Sequence, residues 1–196
     1  IVKEDRKSAA LTATDRTIFS ELFRCRISTV EKAEFLVSFE ALAEDAQPVQ
    51  ITQSEYMRRM KEMAAMQRGM GFYGELPDSY SLIVNTEHPL VKAIFDDARA
   101  SLADATAKEA EIETLNKSVA DLRGKKDATD EEKKSLADNE TRIEQLRKEE
   151  NATIAEYAEK VPQIRQLIDI ALLGNNLLRG EALADFLRRS VELMKK

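Results

Sequence analysis

Few residues in this chain have the types and spacing that chemistry requires. Gly69-Met-Gly71-Phe-Tyr-Gly74 spells GxGxxG. A dinucleotide site needs a strand before that spelling and a helix N-terminus after it, so that backbone amides meet the phosphates. Here a helical pattern precedes and a strand pattern follows, so the glycines read as the exit of a helix. His88 is the single histidine and Cys25 the single cysteine, which leaves no set of zinc ligands. Cys25 also has no partner for a disulfide within the chain, which fits a reducing compartment. Glu87 and Asp96 make no triad with His88, and the histidine reads as a residue of a first helical turn. Residues 96–160 hold 18 Asp/Glu and 12 Lys/Arg. These alternate at helical spacing, which is the pattern of a solvated face rather than of a paired acid and base. No catalytic residue, metal site or cofactor site emerges, and no enzyme activity is expected of these residues.

The methionines point to contact rather than reaction. Five of the six, Met57, Met60, Met63, Met66 and Met70, fall between positions 57 and 70. A methionine stripe at helical spacing is ordinarily core. The alternative is an adaptable surface, because thioether side chains are flexible and polarizable and mould to varied apolar partners. Tyr56, Phe72 and Tyr73 flank the stripe, and leucine would pack a fixed core with better-defined rotamers.

These residues must be carried by elements that the remaining pattern predicts. Residues 12–26 read as a helix that Thr14 can cap, with Ile18, Phe19, Leu22 and Phe23 as its apolar stripe. Residues 34–43 place Phe35, Val37 and Phe39 on one parity, a strand pattern. After Pro48, residues 49–52 alternate as a second short strand or a continuation of the first. Residues 53–67 read as the methionine helix, and 80–85 as another strand. Thr86 can cap a further helix with Pro89 in its first turn. From about Leu90 to Arg123 the pattern is helical without interruption. Thr129 with Glu132 forms a capping box that starts a new helix. Leu115, Val119 and Leu122 before the break, with Leu136, Ile143 and Leu146 after it, occupy heptad-like seam positions. Residues 97–158 therefore read as an inserted antiparallel helical hairpin projecting from a single domain over 1–196.

The end of the chain reads as a helix pair. Ile164, Leu167, Ile168, Ala171 and Leu172 share one face, and Gly174-Asn-Asn176 is a stop. Leu183, Phe186, Leu187, Ser190, Val191 and Met194 form the second stripe. Such a pair can fold onto its own domain or meet a second copy as a four-helix bundle across a two-fold axis. Apolar positions on more than one side favour the second arrangement.

Composition narrows the partners. The formal net charge is −6, and residues 96–160 account for all of it. A mild acidic excess excludes a general nucleic-acid or membrane-surface binder. No apolar run approaches the roughly 20 residues that span a bilayer, and no secretory signal is visible, so a cytoplasmic location is expected. A chain that opens on Ile1 rather than Met reads as a piece of a longer protein.

Ile51-Thr-Gln-Ser-Glu-Tyr-Met-Arg-Arg-Met-Lys-Glu-Met63 resembles a signature of the C-terminal domain of bacterial ninety-kilodalton heat-shock chaperones. Tyr80-Ser-Leu-Ile-Val-Asn-Thr-Glu-His-Pro-Leu90 resembles that domain's next strand and turn. Leu167-Ile-Asp-Ile-Ala-Leu-Leu173 and Phe186-Leu-Arg-Arg-Ser-Val-Glu-Leu193 resemble its last two helices. The resemblance implies an α+β fold with a small mixed sheet flanked by helices. It implies a homodimer through the last two helices. It also implies that Tyr56, Met57, Met60 and Met63 are exposed and contact unfolded or partly folded client proteins. ATP and Mg²⁺ would be bound by an N-terminal domain that these 196 residues do not contain, so the fragment is expected to use no cofactor. The chain ends in Met-Lys-Lys rather than in a Met-Glu-Glu-Val-Asp tail, so recruitment of helical-repeat co-chaperones is not implied. Residues 96–160 match no part of the usual family pattern. A structural coiled-coil scaffold working through residues 97–158 is the alternative reading.

Overall fold

A computed structural model describes residues 7–8, 11–53, 55, 58–59, 62–63, 77–125 and 129–195. The fold is α+β. In chain order the elements are β1 (Lys7–Ser8), α1 (Ala13–Arg24), β2 (Ala33–Ala41), β3 (Val49–Gln53), β4 (Asp78–Asn85), α2 (Pro89–Ser101), α3 (Ala103–Arg123), α4 (Asp130–Lys160), α5 (Pro162–Gly174) and α6 (Gly180–Leu193). Contacts divide the chain into two compact units. The first holds residues 1–10, 23–95 and 161–196, and the second holds residues 11–22 and 96–160.

The first unit is built on a mixed sheet of order β1-β2-β4-β3. β2 runs parallel to β4 with Phe35 beside Tyr80, and β3 runs antiparallel to β4 with Ile51 beside Leu82. Residues 49–53 are thus a separate strand that pairs with β4, not a continuation of β2. The central strand is buried on both faces, as its consecutive Leu82, Ile83 and Val84 require. Phe95 meets Phe23 and Phe39 edge-on, with ring centroids 6.4 and 6.0 Å apart. α5 packs on β3. Where the strand ends, the buried Asn85 side chain accepts the N–H groups of Leu42 and Glu87 and donates to the Ala43 carbonyl. Leu82 has no exposed surface. Leu82→Ala is expected to cost about 2–5 kcal/mol, read as a lower urea midpoint with an unchanged slope.

The helix ends refine the sequence reading. α1 is capped by Thr12, not Thr14. The Asp15 N–H donates to Thr12 Oγ1 and the Asp15 carboxylate accepts the Thr12 N–H. Thr86 does not cap α2, because its hydroxyl and its N–H are both donated to the Glu40 carbonyl. His88 stands at that helix start instead, and its Nδ1 accepts the Leu90 N–H at 3.2 Å. The Thr129–Glu132 capping box is present, with Glu132 Oε2 2.9 Å from the Thr129 nitrogen. α5 closes in a Schellman turn. Asn176 adopts φ 57°, and the Leu177 N–H reaches back to the Leu172 carbonyl.

The second unit is helical. α3 and α4 run antiparallel, paired along their length by Arg123–Glu140, Ser118–Asn139, Glu111–Arg142 and Glu109–Arg147. Ile112, Val119, Leu146 and Ile154 are buried in it. The expected uninterrupted helix from Leu90 to Arg123 is broken at Leu102, where φ is −106° and ψ is 27°. Thr106 Oγ1 donates to the Leu102 carbonyl at 3.1 Å and competes with the helical N–H, which bends helices. The hairpin does not stand alone, because residues 11–22, which take in most of α1, belong to the same unit. Within it the Arg99 guanidinium lies 5.5 Å from the Phe19 ring centroid and pairs with Asp15.

Candidate interaction surfaces

Among the described residues no group of three or more His, Cys, Asp or Glu could hold a metal ion. Residues 69–74, where GxGxxG falls, lie outside the described residues, as do Tyr56, Met57 and Met60. Met63 is helical and 58% exposed, and Glu55, Arg58, Arg59 and Glu62 beside it are exposed as well. An exposed thioether among solvated charges is an apolar spot that a partner can cover.

The terminal helix pair divides the residues expected at a dimer face into two groups. Ile164, Ile168, Ala171 and Leu172 of α5 are buried within the single chain, and Phe186 of α6 is 8% exposed. They serve the chain's own core, since α5 packs on β3. Leu167, Leu183 and Ser190 are half-buried. Leu187, Val191 and Met194 are open to solvent at 55%, 50% and 78%. Their spacing of four and three residues puts them on one face of α6. Ile170 and Leu173 of α5 are exposed too, at 51% and 41%. The doubled Leu172-Leu173 marks Leu173 in the sequence as an apolar position on a second side of the helix, whereas no pattern singles out Ile170.

The pair is also held by polar groups that no sequence motif marks. Asp169 on α5 has no exposed surface. Its Oδ1 accepts the Ser28 hydroxyl at 2.9 Å, and its Oδ2 accepts a hydrogen bond from the Arg189 guanidinium of α6. Arg165 Nε lies 3.8 Å from the same oxygen. Burial pushes the Asp169 carboxyl up, while the Ser28 hydroxyl and the guanidinium groups of Arg189, Arg165 and Arg26 pull it down. Next to this network Gln166 Nε2 donates to Ser190 Oγ at 2.7 Å, and that hydroxyl donates to the Phe186 carbonyl.

The hairpin carries a second buried ionic cluster. Arg147 donates to Glu109 and, at 2.9 Å, to Glu150. Glu109 and Glu150 are 8% and 1% exposed, so these two carboxylates are not part of the solvated face that their spacing predicts. Burial pushes the Glu150 carboxyl up, Arg147 pulls it down, and the neighbouring Glu109 charge raises it again. Among the described residues of 96–160 there is no exposed large apolar side chain. No described helix is long and apolar enough to cross a membrane.

Comparison with known proteins gives one answer. The chain is 45% identical over 201 residues to a chaperone protein HtpG of Bacteroides fragilis, covering 99% of the chain and 30% of that protein. It is 40% identical to the HtpG of Bacteroides thetaiotaomicron over the same shares. It is 43% identical over 206 residues to the HtpG of Porphyromonas gingivalis, covering 29% of that protein. The chain therefore spans about three tenths of the length of these relatives. The matched stretch takes in residues 97–158. No protein-family model and no solved structure matches it.

Proposed function

We infer, from a chain that is a segment of the HtpG chaperone family, that it serves a molecular chaperone as its self-association and client-contact part. The observation that carries this reading is the apolar face of α6. Leu187, Val191 and Met194 are each at least half exposed in the single chain. A monomeric surface rarely leaves such a row uncovered, and a second copy of the same helix pair completes it as a two-fold bundle. Ile170 and Leu173 of the neighbouring α5 are exposed apolar side chains as well. Holding two copies together raises the effective concentration of whatever each chain carries beyond these residues.

In this reading Met63, with Tyr56, Met57 and Met60, forms the adaptable surface for unfolded or partly folded clients. ATP and Mg²⁺ belong to segments of the complete chaperone outside these 196 residues, and the site of action is the cytoplasm. Neither nucleic acid nor membrane is a partner. The hairpin, without exposed large apolar side chains among its described residues, disfavours the scaffold alternative, because scaffold helices associate through apolar faces.

The client surface is tested by Met57→Ser, Met60→Ser and Met63→Ser together. Suppression of aggregation of a heat-labile client is expected to fall several-fold. The unfolding free energy is expected to stay within about 0.5 kcal/mol of the parent's, as this reading requires of surface positions. A large loss of stability with client protection unchanged would identify the methionines as core.

A further inference from the structure

Phe186 is the only side chain of the 14-residue α6 that is buried. One fully buried anchor, with Leu183 half-buried beside it, holds a helix close but fixes its rotation about its axis only loosely. Directional hydrogen bonds do not allow that freedom, and charge-assisted ones are the strongest of them. α6 has two such links to α5, Arg189 to Asp169 and Ser190 to Gln166. Residues 186, 189 and 190 are neighbours on one helical face, and Leu187 and Val191 lie roughly 100° around from Phe186 and Ser190. The direction in which the apolar row points is therefore set by the bonds at 189 and 190.

We propose that Asp169 is the positioning residue of the self-association face: its buried carboxylate grips Arg189 and Ser28 and fixes the rotation of α6, so that Leu187, Val191 and Met194 meet a second copy of the chain as one surface. This rests on the dimer reading above. The geometry of the carboxylate suits the task. Its two oxygens take donors from two different segments, the α6 guanidinium and the hydroxyl of residue 28, which follows α1. Arg165 of its own helix stands 3.8 Å away as a further counter-charge. An aspartate in the middle of Leu167-Ile-Asp-Ile-Ala-Leu-Leu173 would otherwise be an expensive core residue, since a buried charge needs its partners. Its partners tie α6 and the segment after α1 to α5.

Arg189→Met is the first test. It leaves Asp169 the Ser28 hydroxyl and the Arg165 guanidinium as its remaining partners. Sedimentation equilibrium of the 196-residue chain is expected to show a dimer dissociation constant at least tenfold higher than the parent's. Hydrogen exchange is expected to rise over residues 180–193 and to stay unchanged over 103–160. Arg189→Lys, which keeps a cation within reach of the carboxylate but loses the planar guanidinium, is expected to recover part of the affinity. A dissociation constant within twofold of the parent's, with exchange in α6 unchanged, overturns the role of Asp169. Should Arg189→Met fail to fold, the near-isosteric Asp169→Asn decides by the same two readouts. A parent protein that stays near 22.1 kDa at every concentration overturns the dimer reading itself, and this role with it. A parent dimer indifferent to Arg189→Met overturns the role alone.

Discussion

Leu187→Glu combined with Val191→Glu is expected to give a folded protein that sediments as a 22.1 kDa monomer. Both side chains are at least half exposed in the single chain, so a carboxylate at either position meets water and costs little folding stability, within about 0.5 kcal/mol. In a two-fold interface each substitution counts twice. Burying four apolar side chains is worth roughly 1.5–3 kcal/mol each. The double variant replaces that gain with like charges facing one another. The dissociation constant should rise by more than about a thousandfold, since each 1.4 kcal/mol is a factor of ten. Sedimentation equilibrium from micromolar upwards reads the mass, and far-ultraviolet circular dichroism reads the fold. A double variant that keeps the parent's dimeric mass would sink the assignment of this face. Phe186→Glu is a poor test by comparison, because Phe186 is 8% exposed and its loss would detach α6 from its own chain.

Much of this architecture is legible in the sequence, and the parts that are not share a physical cause. The parity of Phe35, Val37 and Phe39 marks β2, and the run Leu82-Ile-Val84 marks a strand covered on both faces. Thr129 and Glu132 mark the start of α4, because a capping box is a local interaction. Local pattern does not say which strand neighbours which. That β3 pairs with β4 rather than extending β2 is fixed by contacts far apart in the chain. Nor does it say what covers an apolar face. The stripe Ile164, Ile168 and Leu172 reads the same whether β3 or a second copy lies against it, and it is the single chain that buries it. Thr14 is a cap by residue type alone, and the structure moves the cap to Thr12, whose hydroxyl accepts the Asp15 N–H. Buried charges are the least legible. Asp169 and Glu150 are two acidic residues among 36, and the helical spacing of charges over 96–160 assigns Glu150 to solvent. Only for Asp169 does the context help, because apolar residues stand on both sides of it.

The same blindness to buried charge carries the second large effect, which lies in the hairpin. Arg147 is the counter-charge that the buried Glu109 and Glu150 share. Arg147→Met would leave two carboxylates inside the α3–α4 seam with no cation between them. Removing one partner of a buried ion pair costs about 3–5 kcal/mol. The Arg147 side chain is 37% exposed, so solvent screening lowers the expectation to about 2 kcal/mol at neutral pH. The sign of the pH dependence follows from Glu150. Burial and the Glu109 charge already raise its folded pKa above the ordinary value of 4.5, and loss of Arg147 removes what pulls it down. A carboxyl with a raised folded pKa binds more protons in the native state than in the unfolded one. It therefore favours the native state below its ordinary value, and that advantage is lost as pH rises through the folded pKa. The deficit of Arg147→Met relative to the parent should accordingly shrink when urea unfolding is repeated at about pH 5 instead of about pH 8. Adding Glu150→Gln to Arg147→Met should restore most of the loss at the higher pH, because a neutral amide of the same shape ends the repulsion with Glu109. A deficit that stays the same at both pH values, or a Glu150→Gln that restores nothing, would mean that Arg147 supports the seam through its aliphatic stem alone.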